Sequence, residues 1–77
     1  MMPRYFFDLK NHVNEYDDEG TECTDVEDAR IKGVRFAASY LYDNPELVWD
    51  GKHIRISVRD ASGHIVLTIV TMTVEGY

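Results

Sequence analysis

A single amphipathic helical segment, set between one strand-like segment and a strand–turn–strand pattern, is the feature that most constrains how this chain folds. Residues 24–44 read TDVEDARIKGVRFAASYLYDN, and small or apolar residues recur at the spacing of one helix face. That face comprises Val26, Ala29, Gly33, Phe36, Ala37, Tyr40 and Leu41. Thr24 with Glu27 matches a capping box and Asn44-Pro45 is a stop signal, so we expect a helix over residues 25–42. One helix covers only one face of a sheet.

Three further segments have the apolar patterns of strands: the first two alternate between apolar and polar residues, and the last is apolar on both faces. These segments are 3–9 (PRYFFDL), 53–59 (HIRISVR) and 64–74 (HIVLTIVTMTV), and the turn sequence DASG joins the last two into a hairpin. Residues 10–20 predict a polar loop, and 21–23 predict a short additional strand. We therefore expect an α+β fold: a small antiparallel sheet of three to four strands in the order β(β)αββ, with one helix packed on one face.

The last strand segment is apolar on both faces, which makes the register of the hairpin decisive. Ile65, Leu67 and Ile69 lie on one face, whereas Val66, Val70, Met72 and Val74 lie on the other. A three-residue loop closing on Gly63 pairs Val58 with Val66 and directs the valine and methionine set inward. A four-residue loop pairs Arg59 with His64 and reverses the faces. We expect the three-residue loop, which leaves the isoleucine and leucine set on the outer face.

An apolar outer face that the helix cannot cover predicts a protein interface. The expected contact residues are Ile65, Leu67 and Ile69, with Arg55 and Arg59 at the rim and Phe6 adjacent. The simplest partner is a second copy in a two-fold homodimer, because so short a chain buries little surface alone. Partial cover by loops, by Trp49 or by the C-terminal residues is the alternative. The sequence thus predicts a small non-enzymatic interaction module of unknown pathway.

Residues 14–23, NEYDDEGTEC, concentrate five acids, a Gly and a Cys, and predict either a cation site or a turn. Placing Gly20 at the sixth position of an EF-hand-like loop puts Glu15, Asp17 and Glu19 at ligand positions. The twelfth position, where a bidentate Glu is needed, is then Val26, and no helix precedes the loop. We therefore expect a solvated turn without a metal.

The same acidic loop supports a second functional hypothesis, an acidic inhibitor or nucleic-acid mimic that binds a basic partner. Its candidate residues are Glu15, Asp17, Asp18, Glu19 and Glu22. Residues 1–28 hold nine acids against two bases and residues 29–77 hold five acids against six bases, so net charges of −7 and +1 sum to −6. This balance argues against nucleic-acid binding, which needs many cations. The alternative is a platform for single strands made of Arg4, Arg55, Arg59, Phe6 and His53.

Size and cysteine usage bound the remaining possibilities. With 77 residues the chain has room for one core, so we expect residues 1–77 to form a single domain. Cys23 is the only cysteine, which excludes an internal disulfide. The N-terminal residues show no secretory pattern, and the apolar run 65–74 is too short to span a bilayer. We expect a cytoplasmic protein with no membrane contact.

The candidate nucleophilic and metal-binding residues do not predict catalysis. Cys23, His12, His53 and His64 share no zinc-ligand spacing. Cys23 lies among acids, which raise the pKa of a thiol and reduce its reactivity. No serine elbow, phosphate loop or dinucleotide fingerprint is present. We expect neither enzyme activity nor a cofactor.

Several short motifs together resemble a known family. They are MPRYFFDL at 2–9, DEG at 18–20, DVEDAR at 25–30, WDG at 49–51 and VRDASG at 58–63. In this order and spacing they resemble a family of short alphaproteobacterial proteins, common in rhizobia and their relatives, that is classified as a domain of unknown function. The resemblance covers nearly the whole chain and implies a bacterial cytoplasmic protein without an assigned activity. At fold level alone, a hairpin followed by an EDAR-type helix also resembles the antitoxin half of toxin–antitoxin pairs.

Overall fold

The computed structural model describes residues 2–11, 14–48, 52–74 and 76. The elements in these ranges are β1 (Arg4–Lys10), β2 (Asn14–Glu15), β3 (Thr21–Glu22), α1 (Val26–Asp43), a 3₁₀ helix (Pro45–Val48), β4 (His53–Arg59) and β5 (Ile65–Met72). The α+β class and the β(β)αββ order are confirmed, with two short strands where one was expected. The WDG motif at 49–51 (with Trp49) and His12 lie outside the described residues.

The strands form one antiparallel sheet in the order β2–β1–β4–β5, and β3 also pairs with β1. Pairing of Phe7 with Val58 and of Leu9 with Ile56 sets the register between β1 and β4. The predicted alternation is confirmed, because the helix side of both strands is apolar. That side comprises Tyr5, Phe7 and Leu9 from β1 and Ile54, Ile56 and Val58 from β4. The three β4 residues are at most 1% exposed and form the centre of the core.

Helix α1 packs against the sheet through its smallest residues. Ala29, Gly33 and Ala37 are buried, and a Cβ placed on Gly33 would lie 2.9 Å from Cγ2 of Val58. The helix backbone therefore contacts the sheet directly at this point. This is the predicted helix face, except that Val26 is 37% exposed.

The cap of α1 lies one residue later than the sequence predicts. Asp25 is the N-cap, and its carboxylate accepts a hydrogen bond from the Asp28 amide at 2.8 Å. The Asp28 carboxylate in turn accepts one from the Thr24 amide at 2.9 Å, and this bond is the main reason that the pKa of Asp28 is lowered. The predicted Thr24–Glu27 capping box is wrong. An Asp is generally a better N-cap than a Thr, which accounts for the shift by one residue.

The end of α1 follows the sequence signal. The Asn44 backbone N–H donates to the Tyr40 carbonyl at 3.0 Å, and the Asn44 side-chain amide donates to the same oxygen. Pro45 then opens the 3₁₀ helix. Its last residue, Val48, is buried in the core, and the Val48 carbonyl accepts a hydrogen bond from the Thr73 hydroxyl. The residues after β5 are thereby fastened to the helix end.

The hairpin between β4 and β5 has the predicted three-residue loop. The Asp60 N–H donates to the His64 carbonyl at 2.8 Å, and Arg59 pairs with Ile65. Gly63 has a φ of 96°, a conformation that residues with a side chain adopt only with strain. The Asp60 carboxylate accepts hydrogen bonds from Ser62 and His64 within the loop; the bond from Ser62 contributes most to lowering its pKa.

Beyond the loop, a β-bulge changes the register of β5. Val58 lies opposite Leu67 instead of Val66, and the shift continues along the ladder. One inserted residue exchanges the two faces of a strand, so Leu67 and Ile69 face the helix. A Cβ on Gly33 would lie 3.6 Å from both of these side chains, which fill the space beside the glycine. The prediction that Leu67 and Ile69 lie on the outer face is therefore wrong.

Candidate functional site

Asp17 holds the acidic loop, residues 14–22, in one conformation. Its Oδ1 accepts hydrogen bonds from the amides of Glu19 at 3.1 Å and Gly20 at 3.0 Å, and its Oδ2 accepts one from the Phe7 amide at 3.1 Å. Burial alone would raise the pKa of Asp17, but these three amides and the charge of Arg59 lower it. Oδ1 closes the turn and Oδ2 joins it to β1. A turn is the structure that the sequence predicts for this stretch.

A partly buried ion pair joins the loop to the outer face of the sheet. Arg59 Nε donates to Oδ2 of Asp8 at 2.7 Å, and Asp8 is 5% exposed. Oδ1 of Asp8 accepts from the Asp17 amide, while Arg59 also donates to the Asp17 carbonyl at 2.8 Å. The hydrogen bond to Asp8 is the main cause that raises the pKa of Arg59. The guanidinium lies 4.6 Å from the ring centre of Phe6. We call Phe6, Asp8, Asp17 and Arg59 the outer-face cluster.

Two of the residues predicted for the interface belong to the outer-face cluster. Phe6 and Arg59 contact each other, and a Cβ on Gly20 would lie 2.9 Å from the Phe6 ring. The loop therefore covers part of the outer face of β1 and leaves the outer face of β5 exposed. Arg55, the other predicted rim residue, lies on the outer face of β4 and is exposed.

The remaining acids of the loop form an exposed anionic edge. Glu15, Asp18, Glu19 and Glu22 are all exposed. Arg4 binds this edge through two contacts. Its guanidinium donates to the Glu19 carbonyl at 2.8 Å and pairs with the Glu22 carboxylate at 3.4 Å. Four of the five acids predicted for an inhibitor surface thus lie in solvent on a braced loop, and the fifth, Asp17, is turned inward.

Strand β5 exposes aliphatic side chains at the edge of the sheet. Ile65, Val70 and Met72 on its outer face are 62%, 46% and 58% exposed, and Val74 just beyond it is 65% exposed. The strand is the last in the sheet order and contains no charged residue and no proline. An uncharged apolar edge of this length is a site at which another strand can pair.

The sequence found only part of this surface. Ile65 lies where the interface prediction placed it, at the outer end of β5. The sequence predicts Val70 and Met72 in the core, because no glycine marks the bulge that moves them outward. Leu67 and Ile69 take the inward positions instead, where they fill the space beside Gly33 of the helix.

A cleft of about 470 Å³ opens between α1 and β1 on the helix side of the sheet. Phe7 and Phe36 line it, packed edge to face with ring centres 6.4 Å apart. Lys32 lies on its rim, but its ammonium already contacts the Asp28 carboxylate at 3.2 Å and the Glu22 carbonyl at 3.0 Å. The cleft therefore has an apolar base, and the Lys32 ammonium at its rim is already bonded to other groups of the chain.

A second groove, of about 690 Å³, lies at the end of the sheet where β1 finishes and β4 begins. Lys10, Lys52, His53 and Arg55 line it together with Glu46 and Leu47 of the 3₁₀ helix. In a chain with a formal net charge of −6, this groove gathers cationic groups. We call it the basic groove.

The candidate nucleophilic and metal-binding residues lie apart from one another. Cys23 is fully buried, and burial is the main cause that raises the pKa of its thiol. His53 lies in the basic groove, whereas His64 contacts Ser62 in the hairpin loop. Within the described ranges, no three His, Cys, Asp or Glu side chains are arranged to hold a metal ion.

Comparison with known families shows to which family the chain belongs. The family model described as a domain of unknown function (DUF6894) matches residues 4–73, from the first residue of β1 to the residue after β5. The chain belongs to this family. The DUF6894 domain therefore includes the acidic loop, the outer-face cluster, β5 and the basic groove. No curated protein and no solved structure matches the chain significantly. In the described part of the chain, no helix is both long and apolar enough to cross a membrane.

Proposed function

We propose that this DUF6894 protein is a small non-enzymatic interaction module that associates with a second copy of itself through β5. The observation that carries the proposal is the uncharged edge of β5 with three exposed aliphatic side chains on its outer face. Two copies related by a two-fold axis would set their β5 strands antiparallel. The free backbone N–H and C=O groups along the β5 edge of each copy would then form hydrogen bonds with those of the other copy.

The energetics of so small a domain favour this association. A chain of this size buries only about 60–65% of its unfolded surface, so its stability as a monomer is marginal. Ile65, Val70 and Met72 are about half exposed, and full burial of such a side chain contributes roughly 1.5–3 kcal/mol. Pairing along the β5 edge would bury part of each side chain against its neighbours on the partner strand, and this partial burial would offset some of the entropy lost on association.

Edge pairing also agrees with the charges on the outer face. Arg55 lies opposite Val70, and His53 lies opposite Met72. Stacking two outer faces directly on each other would bring the basic groups of both copies together. Pairing along the β5 edge adds a strand to each sheet and keeps these groups apart.

Light scattering behind a sizing column tests the proposal across a wide concentration range. The wild type is expected at twice 8.9 kDa, and Val70→Glu at 8.9 kDa with unchanged circular dichroism. Ser39→Glu, on the exposed side of α1, is the charge-matched control and should remain a dimer. Leu67→Glu buries a charge beside the helix and is expected to unfold the domain instead. A wild type that stays monomeric at every concentration would contradict the proposal.

An acidic inhibitor that binds a basic partner is the second candidate. Two observations support it: hydrogen bonds from Asp17 and Arg4 fix the backbone of the loop, and the loop carries four exposed carboxylates. Asp18→Lys combined with Glu19→Lys should abolish capture of a basic partner and leave the dimer mass unchanged. If the double variant loses the dimer as well, the loop belongs to the self-association surface and the inhibitor hypothesis fails.

We also propose a bacterial, alphaproteobacterial origin and a cytoplasmic location. The motifs that resemble the rhizobial family support the origin, and the single, fully buried Cys23 suits a reducing compartment. Fractionation of cells that express the tagged protein from its own promoter tests the location. Recovery in the periplasmic or membrane fraction would contradict it.

A further inference from the structure

We propose that the basic groove binds a small organic phosphate, with Lys10, Arg55 and Lys52 contacting the phosphate oxygens and His53 beside them. The proposal concerns a site at the end of the sheet and does not depend on the association of β5. Its volume of about 690 Å³ is within the range of small-molecule sites.

The first supporting observation is a pair of like charges in the sheet. Lys10 of β1 lies directly opposite Arg55 of β4, and both side chains are exposed on the outer face. Side chains directly opposite each other in an antiparallel pair have Cβ atoms about 4.5–5.5 Å apart, and like charges there are destabilising. Such a pair is stabilised when an anion bridges it.

The second observation is how the chain uses its other cations. Arg4, Arg30, Lys32 and Arg59 each form an ion pair with a carboxylate of this chain. Lys10, Arg35, Lys52 and Arg55 form none with the carboxylates that the structure describes. Three of these four unpaired cations line the basic groove. Among the described residues, cations without a carboxylate partner are thus concentrated at one place.

The composition of the groove selects the class of ligand. Arg and Lys side chains at close spacing bind phosphate oxygens, with Arg supplying a planar donor fork and Lys a point charge. Glu46 also lines the groove, where it accepts hydrogen bonds and repels anions, so the part of the ligand beside it needs to be neutral and hydroxyl-bearing. A long polyanion would meet Glu46 and the acidic loop, which disfavours nucleic acid. A compact phosphate ester with a hydroxyl group suits both the cations and Glu46.

Titration of the full chain with inorganic pyrophosphate, followed by amide NMR shifts at low ionic strength, tests the proposal. We expect saturable shifts confined to the ends of β1 and β4 around Lys10, Lys52 and Arg55. Arg55→Gln and Lys10→Gln should each weaken binding about tenfold or more, the loss expected for one charge-assisted contact. The same two variants should melt at a higher temperature than the wild type without ligand, because each removes the like-charge pair.

Arg35→Gln is the matched control, because it removes an unpaired cation on the exposed side of α1 outside the groove. Its pyrophosphate affinity should equal that of the wild type. Equal weakening by Arg35→Gln would show general charge attraction and overturn the proposal. Absence of saturable shifts in the wild type would also overturn it. So would binding of a single-stranded oligonucleotide together with no response to pyrophosphate.

Discussion

At the residue scale, Asp17 joins three parts of the molecule. Its carboxylate closes its own turn through Glu19 and Gly20, and it accepts the Phe7 amide from β1. Its backbone carbonyl accepts from Arg59 of β4. One aspartate thus fixes the acidic loop to two strands, and these bonds offset the charge repulsion within a stretch so rich in acids.

Replacing Asp17 should therefore reduce stability in a pH-dependent way. At neutral pH, Asp17→Asn is expected to lower the free energy of unfolding by about 1–2 kcal/mol, because charge-assisted hydrogen bonds are weakened. The pKa of Asp17 is lower in the folded state than its ordinary value of 3.8. Its stabilisation is therefore complete above that value and is lost as the pH falls through the lowered pKa.

Urea unfolding of both proteins at about pH 7 and about pH 3 measures this effect. The difference between wild type and Asp17→Asn should shrink at the acidic pH. Asp18→Asn, at the exposed neighbour, is the control and should follow the wild type at both values. A difference that is the same at both pH values would show that the carboxylate charge of Asp17 is not the stabilising feature.

Gly33 sets how closely α1 packs against the sheet. In an exposed helix, Gly→Ala stabilises by up to about 1 kcal/mol. Here the new Cβ would lie 2.9 Å from the fully buried, β-branched Val58. We expect overpacking to prevail, so that Gly33→Ala lowers the free energy of unfolding by about 1–2 kcal/mol.

A double-mutant cycle with Val58→Ala tests the cause of this loss. When Val58 is shortened, Gly33→Ala should become neutral or stabilising, because the methyl group has space. Additive effects of the two substitutions would show that the contact between α1 and β4 is not what limits this position.

At the element scale, the start of α1 depends on Asp25. We expect Asp25→Ala to lower the free energy of unfolding by about 1 kcal/mol, the usual loss when an N-cap is removed. Thr24→Ala and Glu27→Ala should each remain within about 0.5 kcal/mol of the wild type, since neither side chain is the cap. Thermal or urea unfolding of the three variants decides between the two caps. A larger loss for Thr24→Ala than for Asp25→Ala would restore the predicted capping box.

The hairpin shows where element-level prediction from sequence reaches its limit. Asp60 and Gly63 predict the loop, and the loop forms as expected. The bulge after Ile65 depends on which side chains best fill the space against the helix, and this is a property of two elements packed together. No local signal in the strand distinguishes Leu67 inward from Val70 inward, because both are aliphatic.

At the scale of the whole molecule, negative and positive surface charge are separated, and the basic groove adjoins the aliphatic side chains of β5. The anionic edge of the acidic loop borders β1, the aliphatic edge follows β5, and the basic groove lies at the end of the sheet. A domain with one helix and an open sheet leaves these surfaces available to different ligands at the same time. We accordingly propose self-association and phosphate binding as independent properties.

Self-association predicts a melting temperature that depends on protein concentration. Because a partner that binds only the folded state stabilises it by mass action, the wild type should melt at higher temperature as its concentration rises. Val70→Glu should melt at one temperature throughout, and at a lower value than concentrated wild type. Differential scanning calorimetry over a dilution series measures both. Wild-type melting that is independent of concentration would count against the dimer.

The sequence by itself determined the α+β class, the order of the elements, the helix ends within a residue or two and the inward faces of β1 and β4. Each of these follows from periodicity or turn chemistry within one segment, as the alternation of Ile54, Ile56 and Val58 illustrates. Only the tertiary structure decided the outward face of β5, the burial of Asp8 with Arg59 and the gathering of Lys10, Lys52 and Arg55. These depend on pairing between segments far apart in the chain, where a shift of one residue exchanges the two faces of a strand.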